Sequence, residues 1–571
     1  MRSIDLHIEG AGQGAMETAR TRLVVPMVLF ALGFGFLLLR LMSIGLFGEL
    51  SETTHFAEDE QVGYIAGRAD IVDRNGIVLA TNLKTASLAA RPHMISEPEK
   101  LAKEIADILK NENRTEILNK LKSSRRHVWV SRKLTPKEVW QINSLGNPGL
   151  ELEEEEERVY PQGHLAAHVL GYVGIDTQPF AGVERFFQDH LSDPLRSAEP
   201  LVLSLDIRVQ HVLHSELKKS MDKFQAAGAA GLVMDVQTGE ILAMSSLPDF
   251  DPNSPPGGSS KALFNKLTQG VYEMGSGFKT FTVAMALEQK VVSLEGGYDA
   301  TDPLKVDRFT IHDDHAKKRW LNVPEIYTYS SNIGSALMAR DVGADHQREF
   351  LHKIGMFEAP AIELSGVARP ILPRQWGEVE LMTVSYGHGI AITPVQLATG
   401  ISAMINGGRH IPATLLRKSD SERFLISGGE SPMEIPRVIS EETSRTMRDL
   451  MRLAVEYGTG NAADVEGYFV GGKTGTAEKP GEGGYRKKDL ISSFIGAFPM
   501  DNPRYVVFAM LDEPRGTEET FYMASGGWTA APLVGEVVRQ IGPLLGVLPK
   551  MRRKPRYENL ILTSADRDSH H

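Results

Sequence analysis

Two side chains near the middle of the sequence, Ser276 and Lys279, have the types and the spacing of a nucleophile and its base. They lie three positions apart where an apolar helical pattern begins, so we expect the Lys279 amine to reach the Ser276 hydroxyl on one face of a helix. A serine activated in this way can attack a carbonyl group without a histidine. The spacing alone is unspecific, because it recurs at Ser215–Lys218 and Ser220–Lys223 in a charged amphipathic stretch.

Two further motifs, Ser330-Ser-Asn332 and Lys473-Thr-Gly-Thr476, follow downstream and add the remaining groups that acyl transfer at an amide requires. Burial and the charge of Lys473 would both lower the pKa of Lys279 and prepare it as the base. Ser330 could pass a proton to the leaving amine, and Asn332 could hydrogen-bond the acyl chain. These three motifs in this order are far more specific than any one of them.

The Lys473 motif also supplies candidate substrate-binding groups. Thr474 and Thr476 offer hydroxyl groups to a terminal carboxylate, and Gly475 removes a side chain so that a substrate can lie against the strand edge. The chemistry needs no cofactor and no metal ion at this site.

The bulk composition excludes several other classes of protein. The chain has 571 residues, a formal net charge of −11 and no cysteine, so disulfides and thiolate chemistry are excluded and nucleic-acid binding is disfavoured. Apolar residues make up 42% of the chain and charged residues 24%, which is typical of a globular protein with a substantial core.

Residues 23–39 carry no charge, and after Arg40 residues 41–48 are again uncharged, which predicts a membrane anchor over residues 23–47. A cleaved signal peptide or a buried core helix are the alternatives, but no small-residue cleavage site follows the apolar run. Arg20 and Arg22 precede it, whereas residues 41–60 contain five acidic residues and no Lys or Arg. This bias places the amino terminus in the cytoplasm and the large remainder outside.

The elements that must position the motifs indicate an α+β fold, in which an antiparallel sheet is flanked by helices. Asn75-Gly76 predicts a hairpin, and Ser440 is expected to cap a helix. The other predicted elements are a helix over 97–122, a helix near 207–225, a strand pair within 231–244, a short strand over 468–473, a hairpin over 492–511 and a helix over 530–547.

The three motifs together resemble those of the penicillin-binding protein and serine β-lactamase superfamily. Further stretches resemble class B penicillin-binding proteins: residues 68–80, 158–163, 182–184, 247–253 and 386–389. Among these, the chain is most similar to the cell-division type, since elongation-type relatives often carry Asp at the position of Asn332. It departs from the family pattern at Gly277, where Thr or Val is commoner, and at Ala69, where Gly is commoner.

The resemblance implies a full domain plan and an oxyanion hole formed by the backbone N–H groups of Ser276 and Thr476. The implied segments are a cytoplasmic tail (1–22), a transmembrane anchor (23–47), a linker (48–66), a non-catalytic pedestal of the dimerisation type (67–225), a transpeptidase domain (226–548) and a disordered tail (549–571). The protein would then be a single-pass protein of the bacterial inner membrane at the division site, with its catalytic domain in the periplasm.

The implied activity is D,D-transpeptidation, in which Ser276 forms an acyl-enzyme with a peptidoglycan stem peptide ending in D-Ala-D-Ala and is inhibited by β-lactams. The implied partners are a membrane glycosyltransferase of the FtsW type and other divisome proteins. The alternatives are an elongation-type transpeptidase, a D,D-carboxypeptidase or β-lactamase with the same site, and a non-catalytic divisome scaffold.

Three other features have residue types that are found in functional sites. His312 and His315 flank two aspartates and could bind a metal, although histidines beside acids in a loop are usually solvated. His388 could act as a base, but no G-x-S-x-G motif accompanies it, so structural packing is favoured. The acidic run Glu153–Glu157 is interpreted as a solvated surface.

Overall fold

The computed structural model describes residues 31–39, 67–110, 112–174, 178–419, 435, 437–481, 484–551 and 555–561. Residues 31–39 form a helix, α1, which belongs to the predicted anchor. The other residues of the predicted anchor (23–30 and 40–47), the predicted tail 1–22 and the predicted linker 48–66 lie outside the described residues. No helix within the described ranges is both long and apolar enough to cross a membrane.

The first folded region after Gly67 is built on a five-stranded sheet. Its strands are β1 (Ile71–Val72), β2 (Val78–Ala90), β3 (Val128–Leu134), β4 (Leu150–Val159) and β5 (Leu201–Val202). The order is β3-β2-β1-β5, and β4 also pairs with β2. The predicted hairpin at Asn75-Gly76 is confirmed, since Gly76 has a φ of +83° and β1 pairs antiparallel with β2.

One prediction in this region needs correction. The single helix expected over 97–122 is two helices, since the first ends at Ile108 and the second begins at Arg114. The acidic run Glu153–Glu157 lies in β4 and remains partly exposed, and it pairs with β2. Glu155 and Glu157 form ion pairs with Arg132 and Lys133 of β3, on the other side of β2. The helices of the region are α2 (Pro98–Ile108), α3 (Arg114–Leu121), α4 (Pro136–Asn143), α5 (Ala167–Leu170), α6 (Gly182–Phe186) and α7 (Gln188–Leu191).

A second five-stranded sheet organises the rest of the chain, and all of its pairings are antiparallel. The order is β12-β13-β14-β6-β7, so β12 is an edge strand. The strands are β6 (Gly228–Asp235), β7 (Ile241–Leu247), β12 (Gly471–Gly481), β13 (Gly484–Phe498) and β14 (Tyr505–Asp512). Four short strands form two further antiparallel pairs, β9 with β10 and β8 with β11. They are β8 (Gly297–Asp299), β9 (Leu304–Val306), β10 (Phe309–Ile311) and β11 (Trp320–Asn322).

Helices cover both faces of this sheet because successive strand residues point to opposite sides. Leu232 and Phe508 enter one core, and their neighbours Val233 and Val507 enter the other. The helices are α8 (Ile207–Lys223), α9 (Lys279–Glu288), α10 (Val323–Thr328), α11 (Asn332–Val342), α12 (Ala344–Lys353), α13 (Glu378–Val384), α14 (Pro394–Ile405), α15 (Glu441–Glu456) and α16 (Ala530–Leu544). The result is the predicted α+β arrangement of an antiparallel sheet between helical layers.

The structure differs from the expectation of a disordered tail at residues 555–561. Residues 558–561 are helical, and Ile561 is only 4% exposed within the main core. The Asn322 side chain donates to the Leu560 carbonyl at 3.0 Å, and the Tyr457 hydroxyl donates to Glu558. Apolar burial of Ile561 and these hydrogen bonds order the segment.

Candidate active site

Ser276 lies in a 3₁₀ turn, Gly275–Phe278, that leads directly into α9. Gly275 has a φ of +53°, and a Cβ atom at this position would stand 2.5 Å from the Thr476 carbonyl oxygen and 3.2 Å from its nitrogen. A positive φ strains other residues, and the approach of the Thr476 carbonyl leaves no room for a side chain, so glycine is required here. The turn therefore packs directly against β12, with the backbone of Gly275 close to that of Thr476.

Lys279 is completely buried at the start of α9 and points toward the Ser330 loop. Its Nζ atom donates to the Ser330 carbonyl, to Ser330 Oγ at 3.0 Å and to Asn332 Oδ1 at 2.7 Å. No hydrogen bond joins Lys279 to Ser276 Oγ within the described part of the chain, unlike the direct contact expected from the spacing. The three acceptors of the 330–332 loop already occupy all three donors of an ammonium group.

Lys473, on β12, completes the cluster from the opposite side. It is 1% exposed, and its Nζ atom donates to Ser330 Oγ at 2.9 Å. The Ser330 hydroxyl therefore contacts both lysines, which are 194 positions apart in sequence by the difference of their numbers. The structure brings Ser276, Lys279, Ser330, Asn332 and Lys473 into one region.

Both lysines have lowered pKa values, and burial is the largest cause. Burial lowers the pKa of Lys279 to about 7, against the opposing effect of the negative charges of Asp313 and Asp314. The pKa of Lys473 is also well below its usual range, because the residue is buried and lies near the positive charge of Lys279. A lysine amine with a pKa near neutrality can accept a proton at physiological pH.

Ser330 adopts an unusual backbone conformation, with a φ of +62°. Left-handed conformations cost non-glycine residues about 1–3 kcal/mol and cluster at functional sites. The strained conformation presents both the carbonyl and the hydroxyl of Ser330 to Lys279.

Asp313 was missed as a positioning residue by sequence reasoning, which considered its loop only as a metal site. Its carboxylate accepts from Ser331 Oγ at 2.7 Å and from the backbone N–H groups of Asn332 and Ile333 at 2.6 and 2.9 Å. The preceding His312 carbonyl accepts from the Asn332 amide at 2.8 Å. Helix N-termini favour carboxylates, but Asp313 lies 18 positions before Ser331, so no local sequence pattern identifies it as the cap.

The hydroxyl groups of β12 have different surroundings. Thr474 is buried, and its hydroxyl shares a hydrogen bond of 2.8 Å with the Thr459 hydroxyl. Thr476 is partly exposed, and its oxygen accepts from the Gly526 N–H at 3.1 Å, which leaves its own hydroxyl proton available to donate.

Gly475 lies where two segments of backbone approach closely. A Cβ atom there would stand 2.6 Å from the carbonyl oxygen of Met274, two residues before Ser276. The absent side chain therefore makes room for the nucleophile turn. The sequence prediction gave Gly475 a different purpose, which was to leave room for substrate.

His388 packs between aromatic rings rather than in a catalytic triad arrangement. Its ring lies 5.3 Å from that of Tyr386 and 5.9 Å from that of Tyr485. Packing is the interpretation that the sequence favoured.

Two family models match the chain in sequence order. The model for the penicillin-binding protein dimerisation domain matches residues 64–184, and the model for the penicillin-binding protein transpeptidase domain matches residues 229–539. A solved peptidoglycan synthetase from Bifidobacterium adolescentis superposes with a TM-score of 0.65 over 86% of this chain and 97% of that chain, at 23% identity. At this identity the likeness supports the fold alone.

Curated relatives match at higher identity. The probable peptidoglycan D,D-transpeptidase FtsI of Caulobacter vibrioides is 40% identical over 86% of this chain and 84% of the relative. The probable peptidoglycan D,D-transpeptidase PenA of Neisseria meningitidis is 32% identical over 85% of each chain, and FtsI of Escherichia coli is 28% identical over 75% of this chain and 73% of the relative. The chain therefore belongs to the class B penicillin-binding proteins, in the group that includes FtsI.

Proposed function

We propose that the protein is a peptidoglycan D,D-transpeptidase of the division septum, with Ser276 as its nucleophile. The observation that carries the assignment of roles is the contact of both buried lysines with the Ser330 hydroxyl, close to the turn that holds Ser276. The septal role and the peptidoglycan substrate are inferred from the FtsI relatives.

In the first half of the reaction, Ser276 Oγ attacks the carbonyl carbon of the D-Ala-D-Ala amide. Its proton passes to the Lys279 amine, which burial makes a suitable base. The oxyanion that develops accepts hydrogen bonds from the backbone N–H groups of Ser276 and Thr476. The C–N bond then breaks, and the leaving D-Ala amine receives a proton through the Ser330 hydroxyl.

In the second half, the amine of a neighbouring stem peptide attacks the ester carbonyl of the acyl-enzyme. Lys279 takes a proton from this amine, and Ser276 regains a proton as its ester bond breaks. A new amide between two stems is the product. Asn332 would orient the acyl chain, while Lys473 and the hydroxyls of Thr474 and Thr476 would bind the terminal carboxylate of the donor.

Covalent labelling with a fluorescent penicillin tests the nucleophile. The β-lactam ring should acylate Ser276 in the wild-type protein, with the label on the peptide that contains this residue. Ser276→Ala should abolish labelling, and a Ser215→Ala variant, altered at a matched S-x-x-K serine on α8, should label normally. Covalent labelling of Ser276→Ala at the wild-type rate would refute the assignment.

A second assay separates transpeptidation from hydrolysis by the same site. Incubation with stem peptides and an acceptor amine should yield cross-linked dimers, whereas a carboxypeptidase would yield only the shortened donor and free D-Ala. Failure to form dimers with a membrane glycosyltransferase of the FtsW type present would favour the hydrolytic alternative.

We also propose that residues 23–47 anchor the protein in the inner membrane, with residues 1–22 in the cytoplasm and the domains after residue 67 in the periplasm. The charge bias of the flanking sequence supports this orientation. The anchor would contact an FtsW-type glycosyltransferase and other divisome proteins. Reporter fusions after residues 22 and 67 should show activity on opposite sides of the membrane.

A further inference from the structure

Three side chains far from the Ser276 turn in sequence converge on one point: His164, His214 and Asp249. One potential ligand atom from each lies within 4.8 Å of the other two. His214 is 5% exposed on α8, Asp249 is partly exposed after β7, and His164 is exposed in a 3₁₀ turn, Gly163–Ala166.

The three segments that carry these residues are held together by one buried amide. Gln210, fully buried one helical turn before His214, donates to the Leu165 carbonyl at 2.6 Å and to the Met244 carbonyl at 2.8 Å. Its own oxygen accepts from the Met244 N–H at 2.8 Å. The positions next to His164 and just upstream of Asp249 are therefore fixed relative to α8, which prepares the cluster for a ligand.

The geometry can be compared with that of a metal site. The imidazole rings of His164 and His214 have centroids 4.9 Å apart and are inclined by 47°. Two imidazoles bound to one tetrahedral zinc ion at ordinary bond lengths have centroids about 5 Å apart. His214 Nε2 lies 2.7 Å from Asp249 Oδ2, so a simple His–Asp hydrogen bond explains two of the residues but not the position of the third.

We propose that His164, His214 and Asp249 bind one Zn²⁺ ion, which joins the dimerisation domain to the transpeptidase domain. Two nitrogen donors and one carboxylate suit zinc better than calcium or magnesium, which prefer oxygen ligands. The exposed side of His164 leaves a fourth coordination position to water. His164 lies in the range matched by the dimerisation model, Asp249 in that matched by the transpeptidase model, and His214 between the two ranges.

The test uses the full-length protein, stripped with EDTA and titrated with ZnCl₂ against a chromogenic chelator. One equivalent should bind, and saturating zinc should raise the melting temperature by about 2–4 °C. His164→Gln and Asp249→Asn should each weaken binding more than about 100-fold, since even outer-shell partners contribute 10–100-fold. His211→Gln, an exposed histidine on the same helix, should bind zinc as the wild type does.

Two controls keep the result interpretable. His164 is exposed, so His164→Gln should fold without zinc as well as the wild type does without zinc. His570 and His571 at the end of the sequence are a competing pair, and a variant with both changed to Ala should still bind one equivalent. Absence of saturable binding, equal affinity in His164→Gln, or loss of binding only in the His570/His571 variant would overturn the proposal.

Discussion

Lys279 on α9 and Lys473 on β12 both donate to one oxygen atom, the hydroxyl of Ser330, at 3.0 and 2.9 Å. Two ammonium groups this close together in a buried site repel each other, so their titrations are coupled, and burial lowers the pKa of each. A hydroxyl can accept two hydrogen bonds and still donate its own proton. Ser330 can therefore exchange protons with either amine, which is what a relay to the leaving group requires.

Replacing Ser330 with glycine removes the hydroxyl group and also relieves the backbone strain at this position. We expect Ser330→Gly to slow acylation by fluorescent penicillin about 10²–10³-fold, because the relay hydroxyl is lost. The melting temperature should not fall, because glycine adopts a positive φ without strain. The matched control is Lys318→Gly, an exposed residue with a φ of +53°, which should acylate normally. Wild-type acylation by Ser330→Gly would contradict the relay.

The acylation rate should rise with pH through about 7, where Lys279 loses its proton. Below this pH the rate should fall about tenfold per unit, since only the neutral amine is a base. Stopped-flow measurement of acylation between pH 5 and 9 provides the test. A flat profile over this range would exclude Lys279 as the base.

The same lowered pKa predicts how stability depends on pH. A lysine in the unfolded chain has a pKa of about 10.4. Between pH values of about 7 and 10.4, the unfolded state therefore binds more protons at Lys279 than the folded state does. The contribution of Lys279 to the free energy of unfolding therefore rises with pH across this range. The contribution of Lys473 also rises with pH, because its pKa is lowered too. In denaturant unfolding, the free energy of unfolding of Lys279→Met should rise less with pH than that of the wild type. An unchanged slope would contradict the lowered pKa.

Two glycines in the nucleophile turn should respond oppositely to alanine. At Gly277 a Cβ atom would meet only Leu397 at 3.9 Å, an ordinary contact, so Gly277→Ala should stabilise by about 0.4–1 kcal/mol. At Gly275 the positive φ and the Thr476 carbonyl exclude a side chain, so Gly275→Ala should destabilise and reduce acylation. Thermal unfolding of both variants checks this contrast, which equal effects would contradict.

Asp313 should matter more than its neighbour Asp314. Asp313→Ala removes three hydrogen bonds at the start of α11 and should cost about 2 kcal/mol of stability, with slower acylation. Asp313→Asn keeps an oxygen acceptor and should restore part of both. Asp314→Ala, at an exposed position, should remain close to the wild type in stability. Similar losses in both alanine variants would argue against a specific cap.

The sequence predicted the turns and helix caps that are formed by residues close together in the chain. The Asn75-Gly76 turn and the Ser440 cap, whose hydroxyl accepts from the Thr443 N–H at 3.1 Å, are examples. The length of β12 was underestimated, since the predicted strand stopped at Lys473 whereas the observed strand continues to Gly481. Gly475 disfavours a strand by propensity, but antiparallel pairing with β13 continues through it from Gly471 to Gly481.

The motifs identified the residues of the site but not their contacts. The link from Lys279 to Ser330 spans 51 positions and depends on how α9 and the loop before α11 pack. The expected direct contact with Ser276 followed from helical spacing alone, which could not include competing acceptors from Ser330 and Asn332. Asp313 was overlooked for the same reason, since a cap supplied from a distant loop leaves no local pattern.

The ordered segment at residues 555–561 has a practical consequence for recombinant fragments. A fragment ending at residue 548, the predicted domain boundary, would lack Ile561, which is buried in the core. It would also lack the Leu560 carbonyl, which accepts a hydrogen bond from the Asn322 side-chain amide. Asn322 caps α10, the helix that precedes Ser330. Shortening the protein at its carboxyl-terminal end would therefore loosen the segment that leads to Ser330, and recombinant fragments should retain residue 561.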